Sequence, residues 1–227
     1  MKITLIFSRH KEGGNCTASH LLEIIELVKP DVIFEELSEQ LYKEAYTTKT
    51  LNNLESVAIR QYVSQYPIPH IPIDTFEKPI NYETDQRKLE NAVSSQASYE
   101  SAQLRGFFDQ ILSIGDTYGF HYLNDTANNK NMEYLANLKL AVLDKLNDPQ
   151  LHELHRKNQE VILKREDEML DNVYHYATKI SFSNGLMLIG SGHHESILRK
   201  IKKRKEKEEL DISWQFYQDL LAQATSK

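Results

Sequence analysis

The chain has 227 residues, of which 40% are hydrophobic and 26% are charged, a composition typical of a globular protein with one sizeable core. Its formal net charge of -6 argues against nucleic acid or an anionic membrane as the main partner. The single cysteine excludes an intrachain disulfide and a thiolate metal cluster. The apolar run at the start is too short for a signal peptide, and no run reaches transmembrane length. We therefore expect one cytoplasmic domain over residues 1–227.

Short apolar segments spread along the chain predict four buried strands. They are Ile3–Phe7, Val32–Phe34, Ile71–Ile73 and Leu186–Ile189. Between the first two, apolar residues from Leu21 to Val28 have helical spacing, and Pro30 ends that helix. A strand, a helix and a strand in this order form a βαβ unit with parallel strands. The sequence thus predicts an α/β fold with a central, mainly parallel sheet flanked by helices.

The remaining segments are mostly helical in pattern. Residues 41–66 predict helix, and a long helical section at about residues 82–181 predicts a cap or insertion before the last strand. Within that section, residues 115–131 are rich in Gly, Asn, Asp and Thr and predict a loop. Two final helices are expected at residues 195–207 and 213–224.

Polar side chains follow each predicted strand. The strand ends carry His10, then Glu35 and Glu36, then Asp74, and finally His193 and His194. Since the carboxyl ends of parallel strands lie along one edge of a sheet, where ligands bind, these groups should meet. His, Glu and Asp suit either a divalent metal or an acid–base set. One polar loop would be unremarkable in itself, but four converging strand ends predict a site.

The last strand ends in two glycines. Gly190 and Gly192 allow the backbone to approach a ligand closely just before His193. The amides at the start of the following helix would favour an anionic group. We expect both glycines, together with His194, Glu35 and Asp74, to contact substrate.

Arg165 lies on the apolar stripe of a predicted helix at residues 154–180. It follows Ile162 by three positions and precedes Met169 by four, so it points with the stripe. An arginine there either reaches past the rim of the stripe to solvent or needs a carboxylate partner. We expect Glu36 or Glu35 to be that partner.

Several short blocks resemble the superfamily that joins the TraB/TIKI proteins, the erythromycin esterases and the ChaN-type haem-binding lipoproteins. Its members have a strand ending in Gly-x-x-His, a Pro-Asp strand ending in Glu-Leu, and a second Gly-x-x-His. The similar blocks here are residues 3–10, 30–37 and 186–193, with 71–74 and the Arg-containing block 164–169 between them. One departure is Phe7, which stands where the first motif has its glycine.

The resemblance implies His10, Glu36, Arg165 and His193 as catalytic residues, with Asp74 beside them. Some members are metal-dependent proteases, some open lactones with a histidine base, and some bind haem. We expect a hydrolase of ester or amide bonds in a small-molecule or peptide substrate. Either His10, Glu36 and His193 hold a divalent metal (Mn, Co or Zn), or the histidines act directly on water. The rival expectation is a haem-type binding module or a non-catalytic interaction protein on the same fold.

Overall fold

The computed structural model describes residues 1–74, 79, 81–205 and 212–225. Within these residues five parallel strands form one sheet. The strands are β1 (Lys2–Ser8), β2 (Val32–Glu35), β3 (His70–Pro72), β4 (Asn184–Gly190) and β5 (Ser213–Phe216). Their order across the sheet is β3-β2-β4-β1-β5. The predicted parallel α/β fold is therefore confirmed.

Helices connect the strands and cover both faces of the sheet. They are α1 (Ala18–Val28), α2 (Glu39–Tyr46), α3 (Leu54–Gln65), α4 (Tyr82–Ser94), α5 (Tyr99–Leu123), α6 (Thr126–Leu146), α7 (Pro149–Lys179), α8 (His194–Lys205) and α9 (Tyr217–Thr225). Four of them, α4 to α7, fall between β3 and β4, which confirms the expected helical insertion. No helix in the described ranges has the length and apolar character needed to cross a membrane.

Three local predictions were wrong. Residues 41–66 are not one helix, because α2 ends at Tyr46 and α3 begins at Leu54, after Asn53 as its N-cap. Residues 115–131 are not a loop, because α5 continues to Leu123 and α6 starts at Thr126 after Asp125, whose carboxylate accepts the N–H of Ala127 as an N-cap. Residues 213–216 are not helical but form β5, beside β1. Every second residue here, Ile212, Trp214 and Phe216, packs against the same hydrophobic cluster. This spacing of two residues is typical of a strand and not of a helix. The predicted helix at 195–207 is present as α8, but its last two residues lie outside the described ranges.

Alternate residues of each strand pack on opposite faces of the sheet. Ile6, Ile33 and Leu188 belong to the cluster formed with α1 and α3. Leu5, Phe34 and Ile189 belong to the cluster formed with α7 and α8. Because side chains alternate along a strand, the polar residues at the strand ends continue one or the other of these faces. Residues on the α3 face and residues on the α7 face of the sheet can therefore both contribute to a site at its carboxyl edge.

Asn124 completes the end of β1. Strand β5 pairs with β1 only as far as Leu5, so the backbone of Phe7 has no strand partner on that side. The Asn124 side chain replaces one: its Oδ1 accepts the Phe7 N–H at 2.8 Å, and its Nδ2 donates to the Phe7 carbonyl at 2.9 Å. This amide holds the strand from which the His10 loop departs.

We expect Asn124→Leu to lower the free energy of unfolding by about 1–3 kcal/mol, because it leaves two buried backbone groups of Phe7 unpaired. Urea unfolding of both proteins measures the difference. Asn52→Leu, at an exposed position, is the control and should change stability much less. Equal effects of the two changes would contradict this role for Asn124.

Candidate active site

The carboxyl ends of β1, β2 and β4 bring His10, Glu36 and His193 together. Strand β4 lies between β1 and β2. His193 Nε2 lies 3.3 Å from Glu36 Oε1. A Cβ built on Gly190 would lie 3.3 Å from Glu36 Oε2 and 3.7 Å from His10 Nε2, so both side chains border that glycine. The convergence expected from the strand ends is present in the structure.

Glu36 is held in its charged form by donors on both oxygens. The Gly190 N–H donates to Oε2 at 2.7 Å, and Arg165 Nη2 donates to Oε1 at 3.1 Å. Burial by itself raises the pKa of this carboxyl, but His193 and the Gly190 N–H outweigh it and lower the pKa to about 2. The Gly190 N–H is thus bound to the Glu36 carboxylate, and a substrate contact of this glycine stays a prediction.

His193 lies between two carboxylates. Its Nδ1 is 2.7 Å from Glu166 Oε1, while its Nε2 faces Glu36. Burial favours the neutral ring, yet hydrogen bonds to Glu166 and Glu36 raise the His193 pKa to about 9. At neutral pH the ring is therefore a fixed cation with both N–H groups directed at carboxylates. In that state it cannot accept a proton.

Glu166 is almost fully buried and has further partners on α8. Ser196 Oγ donates to Glu166 Oε2 at 2.5 Å, and Lys200 Nζ lies 3.5 Å from the same oxygen. The side chain of Glu166 is 1% exposed. Because α7 carries Glu166 and α8 carries Ser196, this carboxylate joins the helical insertion to the helix that follows β4.

Arg165 pairs with two carboxylates, as its place on the apolar stripe predicted. Its Nη2 donates to Asp74 Oδ2 at 2.7 Å and to Glu36 Oε1 at 3.1 Å, while Nε donates to Asp74 Oδ2 at 3.2 Å. Glu36, the residue that follows β2, is the partner, and not Glu35. The Asp74 carboxylate is buried against Arg165, and its substrate contact stays a prediction.

His10 is the most open member of the site. Its Nδ1 lies 3.1 Å from Glu55 Oε1, which also accepts the Ser8 hydroxyl at 2.6 Å. The His10 side chain is 57% exposed, whereas that of Glu55 is 12% exposed. The hydrogen bond to Glu55 outweighs the effect of burial and raises the His10 pKa. His10 thus has Nδ1 held by a carboxylate, while its Nε2 lies toward Gly190.

A small recess opens beside His10 on the α3 side of the sheet, with room for about one water molecule. The residues that line it are His10, Glu35, Glu36, Leu37, Asn53, Glu55 and Leu188. Three of them are glutamates, and none is a lysine or an arginine. The cleft is therefore an acidic recess with a single histidine at its rim.

Glu35 forms a separate polar cluster at the far end of this cleft. Its Oε1 lies 2.7 Å from His70 Nδ1, and its Oε2 accepts the hydroxyl of Tyr46. The ring of Tyr42 packs against those of His70 and Tyr46, with its centre 5.0 Å and 4.8 Å from theirs. Burial is the main cause that raises the Glu35 pKa, and the charge of Glu55 adds to it. Glu35 lines the cleft, as expected, but with both oxygens already paired.

His194 and Gly192 do not join the site. His194 is 5% exposed and packs on Phe7, with ring centres 4.0 Å apart, on the core side of the turn. Burial lowers its pKa, so the ring is neutral. His194 thus faces the core and not the side on which His193 lies, because consecutive residues at a helix start point in different directions. Its substrate contact stays a prediction. Gly192 is exposed, with nothing within 4 Å of its Cβ position.

Two glutamates of the site were missed in the sequence. Glu166 follows Arg165 directly, inside the block that resembles the family motif, but helical spacing alone placed only Arg165 on the stripe. Glu55 lies on α3, far from any strand end. The available clue was a charged residue between Leu54 and Ala58 on the buried face of a helix.

The donors present do not form a metal site as arranged. No group of three or more His, Cys, Asp and Glu side chains in the described part of the chain is placed to hold a metal ion. Chemistry gives the reason, because Glu36 already neutralises Arg165 and both nitrogens of His193 face carboxylates. A cation at Glu36 would meet the positive charge of Arg165. We derive no step through a metal.

Comparison with known proteins found no relative of this chain. No family model, no curated protein and no solved structure matches the chain.

Proposed function

We propose that the protein is a metal-independent hydrolase of ester or amide bonds in which His10, held by Glu55, is the general base. The observation that carries the proposal is the pair itself: an open histidine whose Nδ1 is bound by a buried carboxylate, at the mouth of a polar cleft. A carboxylate on one ring nitrogen fixes the tautomer and leaves Nε2 to accept a proton.

In the proposed reaction, His10 Nε2 removes a proton from a water molecule as its oxygen attacks the carbonyl carbon. The carbonyl π electrons move to oxygen and form a tetrahedral oxyanion. His10 then returns the proton to the leaving alcohol or amine as the bond to carbon breaks. Glu55 stabilises the imidazolium formed in between, because its carboxylate lies on Nδ1.

Arg165 supplies positive charge for the oxyanion. Its side chain is 20% exposed, and its Nη2 lies 3.1 Å from Oε1 of Glu36, the residue that follows β2. Fixed positive charge in a partly buried site stabilises a developing anion without reorganisation. His193 and Asp74 hold this geometry: His193 orients Glu36, and Asp74 and Glu36 orient Arg165. His193, which the sequence suggested as a base, here becomes a positioning residue.

The resemblance to the TraB/TIKI and erythromycin esterase superfamily supports the same reaction class. The quoted motifs supply His10, Glu36, Arg165 and His193, and these residues are the ones that meet at the carboxyl edge. Among the family's activities, histidine-assisted hydrolysis agrees best with an acidic cleft in which the carboxylates of Glu35 and Glu36 are already paired with other side chains.

We expect His10→Ala to lower kcat/KM by about two orders of magnitude or more for any ester that the wild-type protein hydrolyses. The melting temperature should change little, because the ring is largely exposed. A panel of p-nitrophenyl esters and aminoacyl anilides finds the substrate. His152→Ala, at a histidine of α7 that is ion-paired with Asp144 away from the cleft, is the matched control. An active His10→Ala protein would contradict the base assignment. Elemental analysis of the purified protein, if it showed one bound metal lost in His193→Ala, would overturn the metal-free mechanism.

A further inference from the structure

Glu55 has one oxygen that the proposed mechanism does not use. Oε1 accepts both the Ser8 hydroxyl and the His10 ring, while Oε2 is buried and has no hydrogen-bond partner in the described part of the chain. The residue as a whole is 9% exposed. Burying a carboxylate oxygen without a hydrogen-bond donor costs free energy, and folded proteins rarely contain such an oxygen. Since Glu55 lines the cleft, a group that enters the cleft can supply the missing donor.

The surroundings favour a positively charged donor. The cleft contains Glu35 and Glu36 besides Glu55, and its lining residues include no lysine or arginine. Glu36 is compensated by Arg165 and His193, and Glu35 is bonded to His70 and Tyr46. Glu55 alone keeps an acceptor without a donor. A neutral hydroxyl would supply the hydrogen bond but not the charge, whereas a protonated amine supplies both.

We infer that this cleft is a subsite for a primary ammonium group of the substrate, bound at Glu55 Oε2. The inference rests on the proposed function for what it says about the reaction. The same carboxylate binds His10 through Oε1, 3.1 Å from Nδ1. The ammonium therefore lies only a few atoms from the carbonyl that the activated water attacks. The substrate class is an aminoacyl ester or amide, with its amine close to the scissile bond.

Small probes test the subsite without any hydrolysis. Methylammonium and methanol have nearly the same size, and only the first is charged; acetate has the opposite charge. The ring Cε1–H resonance of His10, identified by its loss in His10→Ala, reports on occupancy in NMR titrations of the full chain. We expect methylammonium to bind at least about tenfold more tightly than methanol, and acetate to cause no shift. Equal affinities for methylammonium and methanol would overturn the subsite and leave a bound water as the partner of Oε2.

Variants locate the binding group. Glu55→Gln keeps an acceptor for Ser8 and His10 but removes the negative charge, so methylammonium affinity should fall by about tenfold or more. Glu153→Gln, at an exposed glutamate of α7, should leave it unchanged. An unchanged affinity in Glu55→Gln would exclude Glu55 as the site. If Glu55→Gln does not fold, the wild-type comparison of the charged and neutral probes decides alone.

Hydrolysis separates this inference from the proposed function. Glycine methyl ester carries the amine, and methyl acetate lacks it. Cleavage of the glycine ester that exceeds that of methyl acetate by more than the ratio of their uncatalysed rates, together with methylammonium binding, supports both proposals. Cleavage of the two esters in the ratio of their uncatalysed rates, without methylammonium binding, retains the hydrolase and overturns the subsite. Methylammonium binding with no cleavage of any ester or anilide retains the subsite and overturns the hydrolase.

Discussion

Replacing Arg165 by Met should lower the free energy of unfolding by about 3–5 kcal/mol, the usual cost of removing one partner from a buried ion pair. The change leaves Asp74 and Glu36 facing each other without the cation that both of them bind. Their side chains are only 10% and 8% exposed, so water cannot fully replace the guanidinium. Arg165→Lys should cost less than Met, because the charge remains, but still be harmful, because Lys cannot make the forked contact. Urea unfolding monitored by circular dichroism measures all three proteins.

The same helix provides a matched control. Arg156 also bridges two carboxylates, Glu153 and Glu160, but its side chain is 56% exposed. Exposed ion pairs are screened by water and contribute little. Arg156→Met should therefore unfold close to the wild-type midpoint. If both changes destabilise equally, the loss at Arg165 comes from helix packing and not from the buried network.

The parallel sheet and the meeting of its strand ends could be predicted because both depend on local patterns. Short β-branched runs, a helix ended by Pro30 and a second apolar strand define a βαβ unit, which requires parallel strands. From that topology alone, His10, Glu36 and His193 had to share an edge. Arg165 was found by the same reasoning, since an arginine on an apolar stripe needs a partner.

What could not be predicted depends on contacts distant in sequence. Glu55 contacts His10 from α3, and the rotation of that helix against the sheet cannot be predicted from the spacing of its residues. Strand β5 is stabilised by pairing with Lys2–Leu5, more than 200 positions earlier in the chain. The packing of His194 on Phe7 could not be predicted for a related reason: a shift of one residue at a helix start decides whether a side chain faces the cleft or the core. Tertiary packing decided all three.

The burial of His193 could not be predicted either, because a glycine-rich turn is usually exposed. Instead the ring is 12% exposed and lies between Glu36 and Glu166, with Arg165 and Lys200 as the nearest other charges around those carboxylates. Two carboxylates against one ring make the charged form of His193 part of the folded structure. Its protonation should therefore be coupled to folding.

We expect the stability of the protein to fall as the pH rises from about 6.5 to about 9, by up to about 3 kcal/mol from His193. The sign follows from the direction of the shift. The pKa of His193 is about 9 in the folded chain, above its ordinary value of 6.5. The folded state therefore holds the proton more tightly, and the stabilisation is complete below about pH 6.5 and lost as the pH passes through about 9. Glu36, with its pKa lowered to about 2, stays ionised throughout this range.

Urea unfolding of the wild type and of His193→Gln at several pH values tests this coupling. His10 titrates in both proteins, and because the charge of His193 lowers the His10 pKa, the difference between the two unfolding free energies contains His193 together with its effect on His10. The buried thiol of Cys16, with a pKa of about 11, adds a loss of its own only above its ordinary value of about 9, so the range below that is free of it. The difference should be largest near pH 6 and shrink toward about pH 9. A difference that does not change with pH would mean that the ring is neutral between its two carboxylates, and His193 would again be available as a base.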